Sequence, residues 1–146
     1  EEAVEFLIAG HAGVAAKPLG KVASGGELSR IALAFAVLAS AQAGAPTLIF
    51  DEVDSGIGGA VAHTVGQLMR QLGAGKQVLA VTHLAQVAAS AHQQLLVSKT
   101  QAGGKTSSSV LLLDADQRVR EVARMLAGST SATSLAHAQE LLEQAA

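Results

Sequence analysis

The chain has 146 residues, enough for one domain with a real core at roughly 100–200 residues per domain. Hydrophobic residues make up 49% of it and charged residues 15%, which excludes a disordered tail. Its 10 Lys and Arg stand against 12 Asp and Glu, so overall charge does not advertise nucleic acid, and any DNA-facing surface has to be local or lie elsewhere in a larger protein.

Glu1, Glu2 and Glu5 stand where a secretory signal would carry positive charge, so no signal peptide is expected there. Residues 5–9, Glu-Phe-Leu-Ile-Ala, read as a short strand, and Pro18 and Gly20 mark residues 10–22 as a loop. Ser24 then opens a helix as its N-cap, with Glu27 three residues on as in a capping box. Leu28, Ile31, Phe35 and Leu38 recur at helical spacing and carry that helix to about Gly44. The longest apolar run, residues 31–39, falls far short of a membrane span of about 20 residues.

Pro46 precedes an apolar run, Thr47-Leu48-Ile49-Phe50, whose pattern predicts a strand buried on both faces of a parallel sheet. A turn over residues 55–59 leads into a second helix ending near Gly73-Ala74-Gly75. Residues 78–81 form another apolar strand, closed by Thr82-His83, and a short helix follows over residues 84–90. Residues 94–98 and 109–113 read as two further strands with a hairpin tip near Gly103-Gly104. An amphipathic helix is expected over residues 118–127, a Ser/Thr-rich connector over 128–134, and a last helix through Leu135, Ala138 and Leu142. Apolar strands alternating with helices imply an α/β fold with a largely parallel sheet flanked by helices.

Two carboxylates, Asp51 and Glu52, end the first long strand, and parallel α/β sheets bind ligands beyond their strands' carboxyl ends. Asp51 is suited to hold Mg²⁺, directly or through water, and Glu52 to polarise a water attacking a γ-phosphate. The same two acids could equally cap a loop and the next helix. Upstream, Ser24-Gly25-Gly26-Glu27-Leu28-Ser29-Arg30 puts two glycines at a helix start, where backbone approaches a ligand closely and the helix terminus favours an anion. There is no Cys, so a disulfide framework and a thiolate metal site are excluded. Trp and Tyr are absent and only three Phe occur, which argues against a base-stacking platform for single strands.

Ser24-Gly25-Gly26-Glu27-Leu28-Ser29-Arg30 resembles the signature motif of ATP-binding-cassette (ABC) ATPases. Residues 47–52 resemble their Walker B strand, and His83 their switch histidine. Glu52-Val53-Asp54, in place of Glu-Pro-Thr, is similar to the SMC branch. Longer stretches are closer still to a bacterial DNA-repair member of that branch: Lys17-Pro18-Leu19, residues 22–30, residues 49–59, Thr82-His83-Leu84-Ala85-Gln86-Val87-Ala88 and Arg120-Glu121-Val122-Ala123-Arg124-Met125-Leu126. The likeness runs over nearly the whole chain.

The resemblance implies roles by position. Ser24, Gly25, Gly26 and Glu27 would face the γ-phosphate of ATP bound to the opposite head. Asp51 would support Mg²⁺, Glu52 would activate water, and His83 would sense the γ-phosphate; the last two form the catalytic pair. Ser55 and Gly56 belong to the loop that would cross the dimer interface. Gly58 stands where the wider superfamily ends that loop with Asp. A Walker A loop needs Gly, four residues, Gly-Lys and Ser or Thr. The nearest match, Gly75-Lys76, is followed by Gln77, has Arg70 at the first Gly position, and precedes a strand instead of following one. In the family that motif lies in an N-terminal segment beyond a long coiled coil.

The whole chain, residues 1–146, is therefore expected to be one C-terminal lobe of an ABC-type head. Its implied partners are the N-terminal lobe of the same polypeptide, a second head in a homodimer around ATP, and DNA. No membrane is implied, and the setting would be the bacterial cytoplasm at the nucleoid. The implied activity is ATP hydrolysis between two heads, in double-strand-break repair and recombination.

Other classes fit less well. Asp51-Glu52-Val53-Asp54 mimics the Asp-Glu-x-Asp box of DEAD-type helicases, but no phosphate loop precedes it and Ser131-Ala132-Thr133 lies too far on for a coupling motif. A dinucleotide fingerprint at Gly56-x-Gly58 fails because Val61 stands where its third Gly belongs. A non-catalytic dimerisation module is the remaining alternative. His11, His63, His92 and His137 lack partners at metal spacing and read as surface residues. Arg118, Arg120 and Arg124 share one helix; Arg120 and Arg124, one turn apart, could meet DNA phosphates, although a solvated face explains them more simply.

Overall fold

The computed structural model describes residues 5–9, 13–18, 34–35, 38–39, 44–51 and 57–145. In chain order the elements are β1 (Leu7–Ile8), β2 (Lys17–Pro18), β3 (Thr47–Asp51), α1 (Gly59–Leu72), β4 (Gln77–Val81), α2 (Ala85–Ser90), β5 (Leu95–Ala102), β6 (Lys105–Leu112), α3 (Ala115–Ala127) and α4 (Ala132–Ala145). Of the long helix expected from Ser24, residues 34–35 and 38–39 are described and are helical. Within that stretch, the Phe35 ring meets Phe6 with centroids 5.0 Å apart.

The β3 and β4 strands are parallel, in register from Thr47 opposite Gln77 to Asp51 opposite Val81. The Thr47 hydroxyl donates to Gln77 Oε1 at 3.0 Å and closes the start of the pair. Between them α1 supplies the crossover that a parallel pair requires. Its Ala62, Val65, Gly66 and Met69 are buried at positions i, i+3, i+4 and i+7, one helical face. That face meets Phe50, Ile57 and Val87 in a first core, with Leu48 and Val78 packed against it.

Among the described residues, one face of this pair is covered. Phe50 is 5% exposed, whereas its neighbours on the opposite face, Ile49 at 70% and Val81 at 56%, lie open. The expectation of a strand buried on both faces is corrected accordingly: alternate residues point to opposite sides, and α1 covers one side alone.

The β5–β6 hairpin is longer than the sequence suggests, paired from Leu95 opposite Leu112 to Ala102 opposite Lys105. Gly103 and Gly104 form its two-residue tip with φ of +57° and +73°, the pair of positive angles a type I′ hairpin turn requires. The polar residues taken for part of the tip pair across the ladder instead, with the Thr100 and Ser107 hydroxyls 2.8 Å apart. Lys17 and Pro18, expected in a loop, pair antiparallel with Ile8 and Leu7.

The α3 helix begins three residues before the expected start. Asp114 Oδ1 accepts from the Gln117 backbone N–H at 2.8 Å, and Gln117 Oε1 accepts from the Asp114 N–H at 3.0 Å, a reciprocal capping box. Gly128 ends the helix in the left-handed region at φ +67°. The α4 helix also starts early, at Ala132, where Ser131 Oγ accepts from the Ser134 N–H at 3.2 Å. A second core of Ala85, Val122, Ala123 and Ala138 joins α2, α3 and α4.

The α2 helix thus contributes Val87 to the first core and Ala85 to the second. It crosses α1 closely at Gly66, where an added Cβ would lie 2.4 Å from Ser90 Oγ and 2.8 Å from Ser90 Cβ. Gly66→Ala is therefore expected to destabilise the fold by about 1–3 kcal/mol, because overpacking outweighs the gain in helix propensity. Urea denaturation checks this, and Ser90→Gly in the same chain should recover part of the loss; an unchanged midpoint in Gly66→Ala would contradict the tight crossing.

Candidate functional site at the carboxyl edge of the parallel pair

The last residue of β3 is Asp51, and its register partner is Val81. Beyond Val81 the chain continues through Thr82 to His83, so Asp51 and His83 emerge at the same carboxyl edge of the parallel pair. Both are exposed. Thr82 Oγ1 accepts from the Leu84 N–H at 3.0 Å, a local turn that sets how the chain leaves β4 before α2 begins at Ala85. The expectation that adjacent strands bring His83 beside the carboxylate-bearing strand end agrees with this placement.

Glu52, Ser55 and Gly56 follow Asp51 but lie outside the described residues, as do Ser24, Gly25, Gly26 and Glu27. Among the described residues no group of three or more His, Asp or Glu side chains gathers as a metal cage. One carboxylate at a strand end fits Mg²⁺, which keeps several waters and takes its other oxygens from phosphates. His92 and His137 are exposed and His63 half-buried, and none joins such a cluster; His11 lies outside the described residues.

A hollow of about 1130 Å³ runs beside His83. It is lined by Leu79 and Val81 of β4, Leu95 and Val97 of β5, and Met125 of α3. Among the described residues β4 pairs only with β3 and β5 only with β6, so both strands present an unpaired edge. Leu79, Val81, Leu95 and Val97 are all exposed there. Unpaired apolar edges of this kind are templates for a further strand.

The three arginines of α3 part company. Arg124 makes a bidentate pair with Glu121, Nε to Oε2 at 2.8 Å and Nη2 to Oε1 at 2.6 Å, and this hydrogen bond and charge raise its pKa. Arg120 is exposed. Arg118 turns inward to the end of α2, donating to the carbonyls of Ala88 and Ala89 at 3.0 and 2.9 Å. Sequence reasoning took Arg118 for the start of a solvated helix. The signal that finds it is the Asp114-x-x-Gln117 box, which moves the helix start and places Arg118 one turn inside.

A solved structure from work on ATP-driven dimerization and DNA-stimulated activation of SMC ATPases superposes with a TM-score of 0.63. It is 23% identical in sequence, and the match covers 79% of this chain and 68% of that one. The chain therefore shares the fold of that solved structure, within the α/β class read from the sequence.

Among curated proteins the chain matches DNA repair protein RecN. The RecN of Vibrio cholerae is 51% identical over 142 residues, which is 97% of this chain and 26% of that protein. Those of Streptomyces coelicolor and Treponema pallidum are each 52% identical, over 97% and 98% of this chain and 25% of each protein. The sequence is thus RecN-like throughout, and it spans about a quarter of the length of the relatives it matches. No family model matches the chain. No described helix is long and apolar enough to cross a membrane.

Proposed function

We propose that the chain is the C-terminal lobe of a RecN-like ATPase head, which hydrolyses ATP between two associated heads and couples that cycle to DNA in double-strand-break repair and recombination. The observation that carries this reading is the placement of Asp51 and His83 at one carboxyl edge of the parallel pair, beside strand edges that are unpaired among the described residues. The N-terminal lobe of the same polypeptide is the partner that completes the sheet, and the hollow beside β4 offers it an apolar edge of Leu79 and Val81. That lobe brings the Walker A loop, whose backbone amides and Lys hold the β- and γ-phosphates.

In the assembled head Asp51 holds Mg²⁺, which when bound neutralises charge on the β- and γ-phosphates. Glu52, one residue on, accepts a proton from the attacking water and orients it. His83 donates a hydrogen bond to a γ-phosphate oxygen. Ser24, Gly25 and Gly26 open their helix toward the γ-phosphate held by the other head, with Glu27 closing the capping box, so anion binding joins the two protomers. Ser55 and Gly56 cross the interface between them. A bacterial cytoplasmic setting at the nucleoid follows from this role.

The reading predicts that the 146-residue chain alone neither binds nor hydrolyses ATP appreciably, because the phosphate loop is not among its residues. Calorimetry with ATP and Mg²⁺ on the lone chain, and again after rejoining the N-terminal lobe, checks it. Gain of binding and hydrolysis on rejoining supports the head. Micromolar affinity in the lone chain would contradict the division between lobes, and rejoined lobes that still fail to hydrolyse ATP would favour a non-catalytic dimerisation module.

A further inference from the structure

The carbonyl end of α2 gathers two guanidinium groups from two other helices. Arg118 of α3 donates through Nη2 to the carbonyls of Ala88, Ala89 and Ala91, and through Nη1 to His92 at 3.5 Å. Arg70 of α1 donates to the carbonyl of Ser90 at 3.0 Å. Carbonyls 88 to 90 close the six-residue helix and 91 and 92 follow it, and each of the five accepts from a guanidinium; that of Ala88 also accepts from the Ala91 N–H at 3.2 Å. Burial, and after it the charge of Arg70, lowers the Arg118 pKa, so Arg118 is held there against an opposing cost. A surface lysine or arginine at a helix end needs no such arrangement.

At the opposite end of the same helix, His83 immediately precedes the N-cap. Leu84 is the N-cap, tied back to Thr82, and five of the six α2 residues are buried. At 1.5 Å per residue the helix is only about 9 Å long, and packing in both cores leaves it little freedom to bend. Whatever fixes its carbonyl end therefore fixes where His83 stands at the carboxyl edge of β4.

We propose that Arg118 is a positioning residue for His83: by clamping the carbonyl end of α2 it sets the place of the histidine at the helix's other end. This rests on the reading of His83 as the group that meets the γ-phosphate. It gives α3 a part in the hydrolytic step that acts through α2. A lysine at this position keeps the charge, but its ammonium is a point charge that cannot span the carbonyls a planar guanidinium holds together. Arg118→Lys therefore loosens the clamp without removing the cation from the helix end.

The test is a double-mutant cycle of Arg118→Lys and His83→Ala in the complete RecN-like protein, with kcat and KM for ATP and the melting temperature measured on each. Arg118→Lys should lower kcat about ten- to hundred-fold with KM little changed, as a displaced catalytic group does. In the His83→Ala background the same substitution should cost less than about two-fold, although sites this far apart ordinarily add. An equal loss in both backgrounds, or a lowered melting temperature with kcat intact, overturns the positioning role and leaves Arg118 a staple. A His83→Ala protein with undiminished kcat overturns the reading of His83 and this inference with it, which the first two outcomes do not.

Discussion

Replacing Glu52 by Gln in the complete protein is expected to keep ATP and Mg²⁺ binding while lowering turnover about 10²- to 10⁴-fold, the usual contribution of a positioned general base. The reason begins with β3. Its Phe50 is anchored in the first core, so the end of the strand is held in place and Asp51 projects from it at a fixed position. Glu52 is the next residue in the sequence, and the proposed division of roles gives the metal to Asp51 and the attacking water to Glu52. Gln preserves the size of Glu and one acceptor oxygen but has neither the charge nor the basicity to take a proton. Asp51→Asn should behave differently, weakening Mg²⁺-dependent nucleotide binding as well as turnover. Nucleotide affinity and single-turnover hydrolysis, measured on both variants, separate the roles. Near-normal hydrolysis in Glu52→Gln, or the same loss of affinity in both, would refute the assignment.

Ser24→Arg is expected to leave ATP binding intact and to abolish ATP-dependent pairing of heads. The sequence predicts Ser24 as a helix N-cap, and two glycines following it would leave backbone amides open to an anion. If that anion is the γ-phosphate on the other head, a long cationic side chain fills the space where the phosphate must lie. Binding within one head does not involve Ser24 and should survive. Light scattering with and without ATP reads the pairing, and filter binding reads the nucleotide. Normal pairing in the variant would show that the signature segment does not act across the interface.

The site's edge was legible in the sequence for a physical reason. Residues 47–50 and 78–81 are continuous apolar runs, and such runs end sharply where the first polar side chains, Asp51 and Thr82, leave the sheet. Two parallel strands in register then bring Asp51 and His83 to one edge without further information. What the runs do not reveal is how much of each strand is covered. Ile49 and Val81 are as apolar as Phe50, yet they lie open on the face opposite α1.

Arg118 was illegible for a different reason: a cation in a helical pattern is ordinarily solvated, and only the capping box of Asp114 and Gln117 turns it inward. The same boundary error hid the start of α4, where Ser131 and Ser134, read as connector, form the cap and first turn. Lys17 and Pro18 were passed over because proline reads as a breaker, yet at the end of a two-residue edge strand its missing N–H costs nothing.

The claim that ATP is hydrolysed between two heads is tested most directly by the concentration dependence of the rate. A head made of this lobe and the N-terminal lobe, joined by a short linker in place of the coiled coil, would be assayed for ATP hydrolysis over a wide range of protein concentration. If each site is completed by the Ser24 segment of a second head, turnover per head rises with concentration until pairing saturates, and Ser24→Arg removes the rise. Turnover per head that stays constant down to concentrations at which the heads are monomeric would contradict a site shared between them.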